Sequence, residues 1–291
     1  MRTCELDGQA GTLHFIHFSS TEIFSFLRLA ESMGISTSST TICATGGGAQ
    51  LLEDNLGELK HKIGTKVHKY DELDSLLCGI HYIESCKPLR ECFYFEMDAE
   101  HKTYTKTPFD FSDAYPYLAV NIGSGVSMLA VYSPTEYRRI TGTRCESFEE
   151  AIELAEKGDS GLVDKLVRDI YGGDYPKFNL RADTVASSFG NMCCKWRREL
   201  AKREDLARAT LTTVTNNIAS IARLCAVNEK MQRIVFVGNF LRYNALSMHM
   251  LTHAMDFWSR GSLKALFLEH EGYFGAVGCI VEHLRSSKKT Q

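Results

Sequence analysis

The sequence predicts an α/β fold in which helices cover a mixed sheet. Short apolar runs rich in β-branched and aromatic residues alternate with longer segments of helical periodicity. Two of those runs end in glycine turns, Thr45-Gly46-Gly47-Gly48 and Val237-Gly238-Asn239, which is where α/β folds place ligand loops; as isolated signals both are equally consistent with tight turns.

In order along the chain, the run from Gly11 to Phe18 has strand-like aromatic content, and Ser19-Ser20-Thr21-Glu22 offers a start for a helix from Ile23 to Met33. Thr40 to Ala44 reads as a short buried strand entering the first glycine turn. Asp71 opens the next helix: it can cap the first turn while Leu73, Leu76, Leu77, Ile80 and Ile83 share one face, so Glu72 is held at a helix start. Tyr117–Ile122, Gly123-Ser124-Gly125 and Val126–Tyr132 read as apolar run, tight turn, apolar run, the pattern of a β-hairpin, and Ser133-Pro134 closes it with a turn. The second half is mainly helical. From Glu204 to Val227, Leu206, Leu211, Val214, Ile218, Ile221 and Leu224 recur at helical spacing. Ile234–Val237 then reads as a strand, Asn244–Trp258 as a helix, Leu263–Leu268 as a strand and Gly272–Leu284 as a helix.

The 291 residues, 44% hydrophobic, suffice for one bilobal domain or two closely joined ones. A net charge of −3 supplies no general field for nucleic acid or an anionic membrane, so no nucleic-acid partner is expected and any phosphate site must be local. Ten cysteines without a Cys-x-x-Cys spacing read as reduced thiols, and no residue is assigned to a metal. The start has no basic region followed by an apolar run, and no stretch approaches a membrane span. A cytoplasmic protein is expected.

Gly123-Ser124-Gly125 is the most suggestive local feature, because glycines let backbone N–H groups converge on an anion and a serine hydroxyl adds a donor. An ordinary hairpin turn reads the same way. Glu72 at a helix N-terminus, where the macrodipole suits a carboxylate, fits a general base, and equally a first-turn acid beside Asp71 and Asp74. Arg139, next to Arg138, fits a bidentate clamp on carboxylate or phosphate, and equally an exposed arginine. Cys193-Cys194 beside Lys195-Trp196-Arg197-Arg198 reads as a solvated helix surface, and His270 as cleft lining or as a structural histidine.

Longer motifs shift this balance. Asn121-Ile-Gly-Ser-Gly-Val-Ser127, Lys165-Leu-Val-Arg-Asp-Ile-Tyr-Gly-Gly-Asp-Tyr175, Val185-Ala-Ser-Ser-Phe-Gly-Asn191, Val237-Gly-Asn-Phe-Leu-Arg242 and Leu268-Glu-His-Glu-Gly-Tyr-Phe-Gly-Ala-Val-Gly278 closely resemble eukaryotic, type II pantothenate kinases from about Gly11 onward. The resemblance implies an actin-like ATPase (ASKHA) fold of two lobes, with residues 1–116 as a partial N-terminal lobe and 117–291 as a C-terminal lobe carrying a dimerisation helix. It implies ATP- and Mg²⁺-dependent phosphorylation of pantothenate to 4'-phosphopantothenate, the first step of coenzyme A synthesis, with acetyl-CoA as feedback inhibitor and a homodimer as the assembly.

By the same resemblance Glu72 matches the catalytic base, and Arg139 matches the arginine that holds the pantothenate or pantetheine portion and supports the transition state. Ser124 and Ser127 match ligand-contacting serines, and Gly123, Gly125, Gly238 and Asn239 are assigned to the nucleotide. Two departures are expected. The chain starts just before the strand Leu13–Phe18, without the family's Asp-x-Gly-Gly-Thr phosphate hairpin, and Arg144 leads directly to Cys145-Glu-Ser-Phe-Glu-Glu150 where the family has a Gly-Gly-Gly-Thr-Phe loop and helix. They motivate a second reading, a catalytically impaired acyl-CoA-binding form or regulatory dimer partner of an intact kinase. A sugar or glycerol kinase of the same broad fold is disfavoured, because the matched motifs are particular to pantothenate kinases.

Overall fold

The computed structural model describes residues 2–6, 9–18, 22–32, 41–49, 52, 66–86, 91–98, 103–123, 125–144, 149–242 and 244–288. In chain order its elements are β1 (Arg2–Leu6), β2 (Gln9–Leu13), α1 (Ile23–Ser32), β3 (Thr41–Thr45), β4 (Lys66–Tyr70) and α2 (Glu72–Ser85). Next come β5 (Cys92–Asp98), β6 (Thr103–Pro108), β7 (Tyr117–Ile122), β8 (Gly125–Ser133), β9 (Glu136–Arg144), α3 (Glu149–Lys157), β10 (Lys165–Leu166), α4 (Val167–Tyr171), β11 (Val185–Ser187) and α5 (Lys195–Leu200). The chain ends with α6 (Arg203–Asn228), β12 (Ile234–Val237), α7 (Ala245–Ser259), β13 (Ala265–Leu268) and α8 (Phe274–Lys288). It divides into two compact units that interleave along the sequence: Met1–Glu91, Asp110–Ser112 and Glu269–Gln291 form the first, Cys92–Phe109 and Asp113–Leu268 the second.

In the first unit β1 and β2 form an antiparallel hairpin, and β3 runs parallel to β4 in the register Thr41↔Lys66 to Thr45↔Tyr70. The strand expected over Gly11–Phe18 stops at Leu13. Beyond it the aromatic side chains turn to ring packing: Phe15 lies 4.7 Å from the His270 ring and 5.1 Å from Tyr273, and Phe18 stacks on Phe26. Helix α2 forms as its pattern predicts. The Asp71 carboxylate accepts from the Leu73 and Asp74 amides at 2.9 and 3.0 Å, and Leu76, Leu77, Ile80 and Ile83 are buried. Its crossing with α8 needs glycine on both helices. A Cβ on Gly79 would stand 1.9 Å from the Phe274 carbonyl oxygen, and one on Gly278 1.8 Å from that of Ser75, so the two backbones touch.

The second unit is built on a seven-stranded sheet of order β6-β5-β13-β12-β7-β8-β9. Its centre is parallel: β12 pairs with both β13 and β7 in that sense, and the flanking β5–β6 and β7–β8–β9 pairings are antiparallel. Strands covered on both faces read as unbroken apolar runs, and Ile234–Val237, all fully buried, is such a run. Removing a side chain the size of Phe236 or Leu118 from water stabilises the unit by roughly 1.5–3 kcal/mol each. The strand expected from Leu263 starts at Ala265, because the Ser259 hydroxyl takes both the amide (3.0 Å) and the carbonyl (3.3 Å) of Leu263.

Helix α6 departs from a single apolar stripe. Its core face is mostly small, with Ala209, Leu211, Thr215, Ile218, Ala219, Ala222 and Ala226 buried, whereas Leu206, Val214, Ile221, Leu224 and Val227 are exposed. Among the described residues the cysteines at 43, 78, 86, 92, 193, 194, 225 and 279 are free thiols.

Candidate active site

Two adjacent parallel strands of the second unit end in glycine turns. β7 runs into Gly123 and β12 into Gly238, in the register Asn121↔Val237. Gly238 is buried with φ +115°, and a Cβ there would meet the Ile122 carbonyl oxygen at 2.2 Å, so only glycine lets the β12 turn press against the end of β7. Asn239, exposed, then opens a short 3₁₀ turn in which the Leu241 amide donates to the Gly238 carbonyl at 3.0 Å. Gly123 is open, with nothing within 4 Å of where its Cβ would be. The structure therefore brings Gly123, Gly125, Gly238 and Asn239 to the carboxyl ends of neighbouring parallel strands, the usual ligand position of open α/β sheets. Ser124 lies outside the described residues, as does the junction at 145–148.

Ser127 and Arg139 meet. Arg139 Nη2 donates to Ser127 Oγ at 3.2 Å, with Arg139 exposed and Ser127 half-buried. Register explains the pairing. From Gly125↔Arg144 to Met128↔Thr141 the β8–β9 ladder is regular, but the next pair is Leu129↔Arg139, so Ile140 is bulged out. Directly opposed residues share a face, and residues two apart in a strand do too; opposite Leu129, Arg139 therefore lies on the Ser127 side.

Glu72 belongs to the first unit, as the first residue of α2, and is exposed. Because β3 and β4 end together, the turn after Thr45 comes beside the helix start after Tyr70: a methyl on Gly46 would lie 3.8 Å from Glu72 Oε2. The Thr45 hydroxyl donates to the Tyr70 carbonyl at 3.0 Å and ties the two strand ends.

Other features are not legible in the sequence. Glu91, its side chain fully buried, accepts from the His270 amide at 2.6 Å and lies 2.8 Å from His270 Nδ1, which makes His270 a structural histidine held to a residue 179 positions away. Burial, with Glu91 and Asp110 as negative neighbours, pushes the Glu84 carboxyl up to about 7. Asp164 accepts from the Phe189 amide at 2.8 Å, and Asn191 Nδ2 donates to the Asp164 carbonyl at 2.8 Å, so the Val185–Asn191 motif knots a loop in place. Cys193 is exposed and Cys194 half-buried just before α5. Among the described residues, no helix is long and apolar enough to cross a membrane, and no group of three or more His, Cys, Asp or Glu is placed to hold a metal.

The family model described as Fumble matches residues 2–282. The chain is 38% identical over 265 residues to a pantothenate kinase of Schizosaccharomyces pombe, covering 84% of this chain and 64% of that protein. It is 40% identical over 257 residues to pantothenate kinase 1 of Arabidopsis thaliana, covering 82% and 65%. It thus spans less than two thirds of the length of these relatives. Among solved structures, a ROK hexokinase from Thermus thermophilus overlaps 79% of this chain and 69% of its own at 12% identity and a TM-score of 0.35.

Proposed function

Since the chain belongs to the Fumble family, we propose that it is a pantothenate kinase, moving the γ-phosphoryl group of ATP to the primary hydroxyl of pantothenate to give 4'-phosphopantothenate. The observation that carries this reading is the Arg139–Ser127 bond, formed by a bulge that places both groups on one face of the β8–β9 ladder. Phosphoryl transfer asks a protein mainly for positioning and for neutralisation of charge. In this reading Glu72 accepts the proton of the attacking hydroxyl, and the Arg139 guanidinium, planar and permanently charged, holds pantothenate and steadies the transferred group. Ser124 and Ser127 orient the acceptor, while the amides around Gly123, Gly125, Gly238 and Asn239 face the nucleotide.

Mg²⁺ is proposed to arrive with the ATP phosphates, since such sites use one or two carboxylates and complete the octahedron with phosphate and water. Acetyl-CoA is proposed as the feedback ligand of the same site, and the cytoplasm as the location. A homodimer is proposed through α6, whose exposed Leu206, Val214, Ile221, Leu224 and Val227 form an apolar row along a 26-residue helix.

The test is ATP-dependent formation of 4'-phosphopantothenate by the purified chain, followed by mass spectrometry. Turnover supports the proposal. No product, under conditions where a relative such as the S. pombe enzyme turns over, overturns it; acetyl-CoA binding without turnover then favours the regulatory-partner reading.

A further inference from the structure

We infer that Arg138 is a positioning residue: held by Glu229 and Tyr132, it fixes the strand register in which Arg139, and not Arg138, lies on the Ser127 face. The role assigned to Arg139 above is the premise for its functional consequence.

The β8–β9 ladder contains two compensating bulges. Ile140 is skipped between Met128↔Thr141 and Leu129↔Arg139, and Tyr132 is skipped between Val131↔Tyr137 and Ser133↔Glu136. The pairs between them, Leu129↔Arg139, Ala130↔Arg138 and Val131↔Tyr137, are slipped by one residue relative to the ladder on either side. A bulge-free ladder joining the same outer pairs would set Arg139 opposite Ala130 and Arg138 opposite Val131. The two arginines would then exchange faces, since a one-residue slip turns every side chain over. Both registers offer an arginine to Ser127, so residue type alone does not choose between them.

The choice is made from the helix side. Ala130 and Met128 belong to the core shared with Ile218, Ala219, Ala222 and Ala226 of α6, so Arg138, opposite Ala130, emerges toward that helix. There it donates to Glu229 Oε1, while Tyr132 Oη donates to Oε2 of the same carboxylate at 2.5 Å. Glu229 caps the C-terminus of α6, its amide donating to the Cys225 carbonyl at 2.9 Å, so its backbone is fixed at the helix end. Both contacts are made in the observed register, with Tyr132 outside the ladder and Arg138 on the Ala130 face; in the bulge-free ladder Arg139 would stand opposite Ala130 and take the place of Arg138 beside Glu229. The bulge-free ladder would return Tyr132 to a pair with Tyr137. An exposed ion pair adds little to overall stability, and a bias of a few-fold between two registers asks for no more.

The experiment compares Arg138→Ala, Arg138→Lys and the pair Arg138→Ala/Glu229→Ala with the parent chain, reading amide hydrogen exchange over residues 136–144 and kcat and KM for pantothenate. The Arg138 side chain is 57% exposed, so the variants are expected to fold, and circular dichroism checks this. Arg138→Ala is expected to speed exchange around Arg139–Thr141 and to raise the pantothenate KM about 3- to 5-fold, because Glu229 is left to draw Arg139 across. Arg138→Lys recovers most of that loss. The double variant, with no carboxylate pulling on Arg139, is less impaired than Arg138→Ala, an ordering that a purely structural role would not produce. Exchange unchanged in Arg138→Ala, or a double variant worse than the single one, overturns the inference. Arg139→Ala separates the two claims: if it turns over like the parent while Arg138→Ala shows faster exchange, the register clamp stands and the substrate role of Arg139 falls. Should the parent show no turnover, exchange alone decides the clamp.

Discussion

Arg139 donates to the hydroxyl of Ser127 across the β8–β9 ladder at 3.2 Å, and it does so because Ile140 is bulged out of that ladder. If this pair holds pantothenate, the geometry of the guanidinium matters as well as its charge. Arg139→Lys, which keeps the charge but not the planar fork, is expected to lower kcat/KM for pantothenate by roughly 10- to 100-fold, the scale of a lost charge-assisted hydrogen bond. Ser127→Ala should cost about 3- to 10-fold, as for a neutral one. Steady-state kinetics on the two variants checks both, and an Arg139→Lys enzyme within twofold of the parent would remove arginine from the site.

Gly238→Ala is expected to destabilise the second unit by about 2–4 kcal/mol. The added methyl would meet the Ile122 carbonyl at 2.2 Å in a backbone conformation, φ +115°, that alanine rarely adopts. Urea unfolding reads this as a lower midpoint at constant slope; an unchanged midpoint would mean that the turn yields freely and does not press β12 against β7.

Much of this arrangement is visible in the sequence, for physical reasons. Ile234–Val237 reads as a strand because a parallel strand buried on both faces is apolar throughout. Asp71 reads as a cap because a carboxylate before an amphipathic run has few better uses. Features that depend on pairing are not legible in this way. Nothing local marks Ile140 and Tyr132 as bulged, since a bulge belongs to two strands at once. Glu91 and His270 find each other across 179 residues. Along α6 periodicity collects Leu211 and Leu224 into one pattern, but alanines take most of the core face and leave Leu224 outside. The run after Leu13 has strand-like residues whose rings are spent on His270, Tyr273 and Phe26 instead of on a ladder.

Glu84 makes stability depend on pH. Its carboxyl is pushed up to about 7 in the folded chain from an ordinary value of 4.5, because it is largely buried beside Glu91 and Asp110, and among the described residues its buried Oε1 has no hydrogen-bond partner. Between those values the folded chain binds more protons than the unfolded one, so this contribution is complete below pH 4.5 and is lost as pH rises through about 7. Glu84→Gln should flatten that slope and, at pH 8, raise stability by about 1 kcal/mol, a figure reduced for partial exposure. Thermal unfolding of both proteins from pH 5 to 8 checks it; parallel curves would contradict it.

The exposed row on α6 predicts its own disruption. Leu224 and Val227 are 53% and 55% exposed on the last turns of the helix, and burying the half of each side chain still open to water contributes about 1.5–3 kcal/mol for the pair. Leu224→Lys with Val227→Lys is expected to convert a dimer to monomer in analytical ultracentrifugation while leaving the circular dichroism spectrum intact. A dimer that survives both substitutions places the contact elsewhere.

If, as proposed, this chain phosphorylates pantothenate with Glu72 as the base, the rate of 4'-phosphopantothenate formation by the parent and Glu72→Gln, side by side with ATP and Mg²⁺, separates the two proteins. We expect turnover by the parent and a kcat lower by roughly 10²- to 10⁴-fold in Glu72→Gln, the usual contribution of a positioned general base, at an unchanged melting temperature. Equal rates from the two proteins would remove Glu72 from the chemistry.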